Sequence, residues 1–196
     1  MHRLALASTI AAAGLAASAT SASAFFNLLF GPPPAQEHYY RNDPDAEVQI
    51  SPVPREVVTF RGYAPGTIVV STSERRLYFV LEGGKAIRYG IGVGRPGFEW
   101  SGVKTVSRKA EWPDWTPPPQ MLKRRPDLPR FMEGGEDNPL GARALYLGGS
   151  LYRIHGSNEP NTIGQAVSSG CIRMTNDDVV DLYDRVRVGT KVVVLR

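Results

Sequence analysis

GTIVVSTSERRLYFVLEGGKAIRYGIGV, residues 66–93, decides how the rest of the chain is read. Residues 67–71 and 76–81 are dense in Val, Ile, Leu, Tyr and Phe, and turn-forming residues separate them. Glu82-Gly83-Gly84-Lys85 then turns the chain into residues 86–93. Short runs rich in β-branched and aromatic residues, broken by glycine and serine, predict consecutive antiparallel strands joined by hairpins. Further strands are expected at residues 144–147, 151–155 and 191–195. One helix is predicted late in the chain. Thr175 or Asn176 caps it, Asp177 and Asp178 suit its positive N-terminal end, and Val179, Leu182, Tyr183 and Val186 form an i, i+3, i+4, i+7 stripe. Gly189 stands where a helix stop is expected. The expected architecture is mainly β, with one or two short helices at its edge. Gly90, Gly92 and Gly94 space like a phosphate loop, but Arg95-Pro96-Gly97 follows where a helix would have to begin. A bulged strand end is therefore the better reading.

Outside this region the composition changes. Met1-His2-Arg3, an apolar run from Leu4 to about Ala17 and the exit Ala22-Ser23-Ala24 make the three parts of a secretory signal peptide, so residues 1–24 are expected to be removed on export. The apolar run is too short and too interrupted to predict a membrane anchor. Residues 25–65 hold Pro32, Pro33, Pro34, Pro44, Pro52, Pro54 and Pro65, a density that predicts a linker or a strap over the domain. The domain proper is expected over residues 66–196. A net charge of +4 with scattered Lys and Arg argues against a nucleic-acid partner, since Lys123-Arg124-Arg125 is the one tight basic run.

The expected domain contains one cysteine, Cys171, and one histidine, His155. An unpaired cysteine in an exported chain points to a reactive thiol or an intermolecular bridge. A thiol is a few per cent thiolate at neutral pH, and a neighbouring imidazole remedies this by taking the proton and later returning it to a leaving amine. Alternation in residues 151–155 puts Arg153 and His155 on one face. Gly156 allows a sharp turn or lets its carbonyl meet the imidazole. Gly170 clears the approach to Cys171, and the N–H groups of Gly170 and Cys171 could line an oxyanion hole. If residues 171–173 are extended, Arg173 shares a face with Cys171 and could fork a carboxylate. Each residue also has a plainer reading. A lone cysteine fits an inert core, a lone histidine a structural site, and Arg173 a salt bridge at a helix start. One Cys and one His are too few for a typical zinc site.

His155-Gly156-Ser157-Asn158 and Ser168-Ser169-Gly170-Cys171-Ile172-Arg173-Met174, followed by Asn176, Asp178, Val179, Leu182 and Tyr183, resemble the signature of the L,D-transpeptidase catalytic (YkuD-type) domain. The resemblance runs from about Gly66 onward. Residues 111–119, with Asn138-Pro139-Leu140-Gly141, are similar to a periplasmic subgroup of that family. The resemblance implies a β-sandwich-like catalytic domain in cell-wall biogenesis. It places the nucleophile at Cys171, the catalytic histidine at His155, the orienting carbonyl at Gly156 and a pocket arginine at Arg173. One position departs, because Ser169 stands where many members carry a second histidine; His155 is left as the candidate base. Ser169, Asn158 and Trp112 are candidate substrate contacts, although Trp100, Trp112 and Trp115 equally suit packing of the Pro-rich loop. The implied reaction is acyl transfer on peptidoglycan stem peptides, with a stem peptide or an outer-membrane lipoprotein as acceptor and with no metal or cofactor. An L,D-carboxypeptidase of the same fold and a non-catalytic wall-binding domain are the alternatives.

Overall fold

The computed structural model describes residues 51–196. The signal-peptide reading and most of the proline-rich segment lie outside the described residues. Eleven strands and two α-helices follow one another: β1 (Glu56–Thr59), β2 (Ile68–Ser71), β3 (Arg76–Leu81), β4 (Lys85–Gly90), β5 (Val93–Gly94), β6 (Gly102–Glu111), α1 (Pro119–Arg124), β7 (Arg143–Leu147), β8 (Arg153–His155), β9 (Ala166–Ser168), β10 (Ile172–Arg173), α2 (Asn176–Arg185) and β11 (Lys191–Leu195). Nine strands form one sheet in the order β1-β4-β3-β2-β11-β6-β7-β8-β10, and β5 pairs with β9.

The sheet curls on itself, and β6 carries it from one half to the other. Its first residues pair with β11 and its last with β7, across a register shift between Val106 and Arg108. One core fills the interior. Ile68, Leu77, Phe79 and Tyr89 enter from the first half, Leu145, Leu147, Ile154 and Ile172 from the second, and Val179, Leu182 and Val186 from the α2 side. Thr175 is the cap of α2, its hydroxyl accepting from the Asp178 N–H at 3.3 Å. The helix ends at Arg185, before the expected stop: Gly189, at φ +93°, serves the turn into β11.

The ordered fold begins earlier than residue 66. β1 adds to the edge of β4, and the aromatic run behind it covers the outer face of β2–β4. There Phe60 stacks on Tyr78 at 4.3 Å. Residues 67–71 and 76–81 are therefore buried on both faces, which is why they read as continuous apolar runs. Arg55 anchors the same segment to α2 through Asp181 at 3.3 Å, and Tyr89 donates to that carboxylate at 2.5 Å. The Gly90–Gly94 run passes beside the Cys171 loop rather than around a phosphate. A Cβ on Gly94 would lie 2.5 Å from the Phe98 carbonyl oxygen.

Candidate active site

β8 and β10 lie side by side and parallel, with Ile154 beside Ile172 and His155 beside Arg173. Alternation sends both isoleucines into the core, 0% and 2% exposed, which leaves Arg153, His155, Cys171 and Arg173 for the opposite face. All four line one cavity of about 820 Å³.

His155 is 4% exposed, and its Nδ1 lies 2.6 Å from the Gly156 carbonyl oxygen. A carbonyl can only accept, so Nδ1 carries the proton and Nε2 holds the free lone pair. Burial holds the imidazole pKa down at about 3, helped by the charges of Arg173 and Arg153 and opposed by the Gly156 bond. Burial also raises the Cys171 thiol, while Arg153 and Arg173 pull it back in part. Cys171 is half-buried, open to the cavity but enclosed by protein on its other sides. Burial thus favours the uncharged form of both groups.

The turn before the sulfur is tightly held. Ser168 Oγ donates to the Cys171 carbonyl at 2.6 Å and accepts from the Gly170 N–H at 3.1 Å. Trp100 Nε1 donates to the Gly170 carbonyl at 2.8 Å, and its ring stacks on Tyr152 at 4.4 Å. Gly170 has φ +104°, and a Cβ there would meet the Tyr152 ring at 2.7 Å. With its N–H engaged by Ser168, Gly170 shapes the turn, and the oxyanion expectation narrows to the Cys171 N–H.

Arg173 is held by Glu159 at 2.8 Å, with Thr162 Oγ1 at 3.4 Å. Ser169 lines the cavity 3.4 Å from Arg95, and Asn158 lines it while donating to the Asp137 carbonyl at 2.8 Å. Trp112 is not brought to the cavity. Its backbone stands at φ +39° with its N–H on the Ala142 carbonyl, and Trp115 takes the place on the wall. Arg95, Phe98, Tyr152 and the α1 residues Met121 and Arg124 also line the cavity. They come from distant loops, and no spacing in the sequence singles them out. Among the described residues, no group of three or more His, Cys, Asp or Glu could hold a metal.

Asn176, at the start of α2, packs against Gly156. Its Oδ1 accepts from the Ala142 N–H at 2.9 Å, and a Cβ on Gly156 would lie 2.3 Å from that oxygen. Gly156→Ala is therefore expected to cost at least about 2 kcal/mol of stability, measured by urea unfolding. A loss under about 0.5 kcal/mol would contradict this close packing.

This curled sheet brings a cysteine and a histidine to one cavity, Cys171 from just before β10 and His155 from the end of β8. Residues 65–194 match the family model for the L,D-transpeptidase catalytic domain (YkuD), and the chain belongs to that family. Among curated relatives, the probable L,D-transpeptidase ErfK/SrfK of Escherichia coli (strain K12) is 44% identical over 137 residues, covering 65% of this chain and 43% of the relative. The probable L,D-transpeptidase YbiS of the same organism is 40% identical over 134 residues, covering 64% and 43%. The chain thus spans less than half the length of these relatives. A solved L,D-transpeptidase from Mycobacterium smegmatis shares the fold, with a TM-score of 0.54 at 19% identity over 66% of this chain and 58% of that one.

Proposed function

We propose that the chain is an exported, periplasmic L,D-transpeptidase that transfers acyl groups between peptidoglycan stem peptides through a thioester on Cys171. The observation that carries this reading is that Cys171 and His155 line one cavity, with the Nδ1 of His155 fixed by the Gly156 carbonyl. As Sγ attacks the carbonyl joining the third, diamino residue to the terminal D-alanine, Nε2 of His155 takes the thiol proton. The Cys171 N–H faces the developing oxyanion. The C–N bond then breaks, the D-alanine nitrogen takes the proton back from His155, and the thioester remains. An amine of a second stem peptide, or of an outer-membrane lipoprotein, attacks the thioester and gives its proton to His155. The C–S bond breaks, the new amide forms, and the thiol is restored. Arg173 holds a carboxylate of the bound peptide.

The uncharged forms that burial favours suit this sequence, since the proton moves with the attack instead of before it. No step calls for a metal or cofactor. Residues 1–24 act as the export signal, and among the described residues no helix is long and apolar enough to cross a membrane. A cavity of about 820 Å³ is large enough for an acceptor beside the donor. The test is intact-protein mass spectrometry after incubation with disaccharide-tetrapeptide. The expected result is an acyl adduct on Cys171 and a cross-linked dimer lacking one D-alanine. Tripeptide alone would move the reading to an L,D-carboxypeptidase. No adduct and an untouched tetrapeptide would remove the reading altogether.

A further inference from the structure

Cys171 lies between two arginine stations that differ in one respect. Gly92 and Arg173 exchange N–H···O bonds at 2.9 Å in both directions, and the Arg95 N–H donates to the Ser168 carbonyl at 3.0 Å. Val93 and Gly94 pair in parallel with β9, Gly92 bridges Arg173 in the antiparallel sense and Gly94 lies against Gly170, so residues 92–95 lead from Arg173 past Gly170 toward Ser169. On the other side, the parallel β8–β10 register sets His155 level with Arg173. The cavity floor thus has His155 and Arg173 at one end, Cys171 in the middle, and Ser169 with Arg95 at the other.

The first station is already neutralised, Arg173 by Glu159 at 2.8 Å. The second is not. Arg95 meets the Ser169 hydroxyl at 3.4 Å and lies over the Phe98 ring at 4.2 Å. Arg124, from α1, approaches the same ring at 5.4 Å. Neither has a carboxylate partner among the described residues. Two like charges facing one partly enclosed cavity repel each other, and a bound anion would relieve that repulsion.

We infer that Arg95, with Ser169 and Arg124, is a specificity site for a carboxylate on the side chain of the residue whose carbonyl is attacked. The inference rests on the acyl-transfer reading above. His155 must reach the nitrogen that leaves, so the departing residue occupies the His155–Arg173 end. The acyl portion then extends past Cys171 toward Arg95. A diamino residue whose side chain ends in an amino-carboxylate places an anion there, and the Arg95 guanidinium can fork it. A lysine-type side chain would bring only an ammonium to two arginines.

The experiment compares two tetrapeptide donors with the same terminal D-alanine. The third residue is diaminopimelate in one and its side-chain amide in the other, and D-alanine release is followed with the full chain. The native protein is expected to favour the acid by at least about tenfold in kcat/KM. Arg95→Gln should raise KM for the acid donor and bring the two donors within about threefold of each other. Arg124→Gln should shift the ratio in the same direction by less. An Arg95→Gln protein that melts like the native one yet keeps the native ratio would overturn the inference. So would a native protein that turns over both donors equally. If Arg95→Gln does not fold, Arg124→Gln decides, and an unchanged ratio there counts against the site. Release from neither donor by the native protein would overturn the acyl-transfer reading, and this inference with it.

Discussion

Cys171→Ala is expected to abolish D-alanine release, by at least about four orders of magnitude, while stability stays within about 1 kcal/mol of the native protein. The two effects separate because the sulfur does little for the fold. Its bond to the Leu151 carbonyl is long, at 3.8 Å, Arg153 lies beside it, and the side chain faces the cavity. Cys171→Ser should be nearly as inactive. A hydroxyl is far less acidic than a thiol, so the same imidazole has a much harder proton to take. The same electrostatics fix how the native thiol responds to pH. Burial raises its pKa, which keeps the thiol protonated at neutral pH. Alkylation by iodoacetamide should accelerate steadily from pH 6 to pH 9. A plateau near neutrality would reveal a preformed thiolate–imidazolium pair and contradict the uncharged forms that burial favours.

His155→Gln is expected to slow acylation of Cys171 by about 10²- to 10⁴-fold, the usual worth of a positioned general base. Glutamine fills much of the space but can neither take the thiol proton nor return it to the leaving nitrogen. The residual rate should rise about tenfold per pH unit below the thiol pKa, because solvent must then supply the thiolate. Activity within threefold of native, or a flat pH profile, would remove His155 as the base. Stability carries a second signature. The folded-state pKa of about 3 lies below the ordinary imidazole value, so between those two values the unfolded chain binds more protons. This contribution is intact above about pH 6.5 and is lost as pH falls, by at most about 1.4 kcal/mol per unit. Asp178 acts in the opposite sense, since burial raises it to about 6 and the folded state takes up its proton first. His155→Gln should therefore be less sensitive than the native protein to acidification from pH 6.5 to pH 5.

Strands β2 and β3 and the apolar stripe of α2 were legible in the sequence because they are bounded by turns and packed against one core. Strand β6 was not. Val103 is 60% exposed, and most of the strand's other residues are partly or fully exposed, so no period of two marks its one buried position, Val106. Three prolines, Pro52, Pro54 and Pro65, hide β1, which survives at an edge where few backbone donors are needed. In the site, Cys171, His155, Gly156 and Arg173 stand out because their types and spacing carry chemistry on their own. Arg95 and Tyr152 come to the same cavity only because the fold brings distant segments together. Trp115 and Trp112 lie three residues apart in one proline-rich run, and a left-handed backbone at Trp112 decides which one faces the cavity.

The placement of β11 sets the order in which the fold can be completed. It follows every other strand in the chain, yet it lies mid-sheet, parallel to β2 on one side and antiparallel to β6 on the other. Until residues 191–195 are present, the two halves of the sheet have no strand to join them, and contacts this distant in sequence form slowly. A chain still lacking residues 191–195 would thus hold its two half-sheets apart, and the completed fold would wait on its last strand.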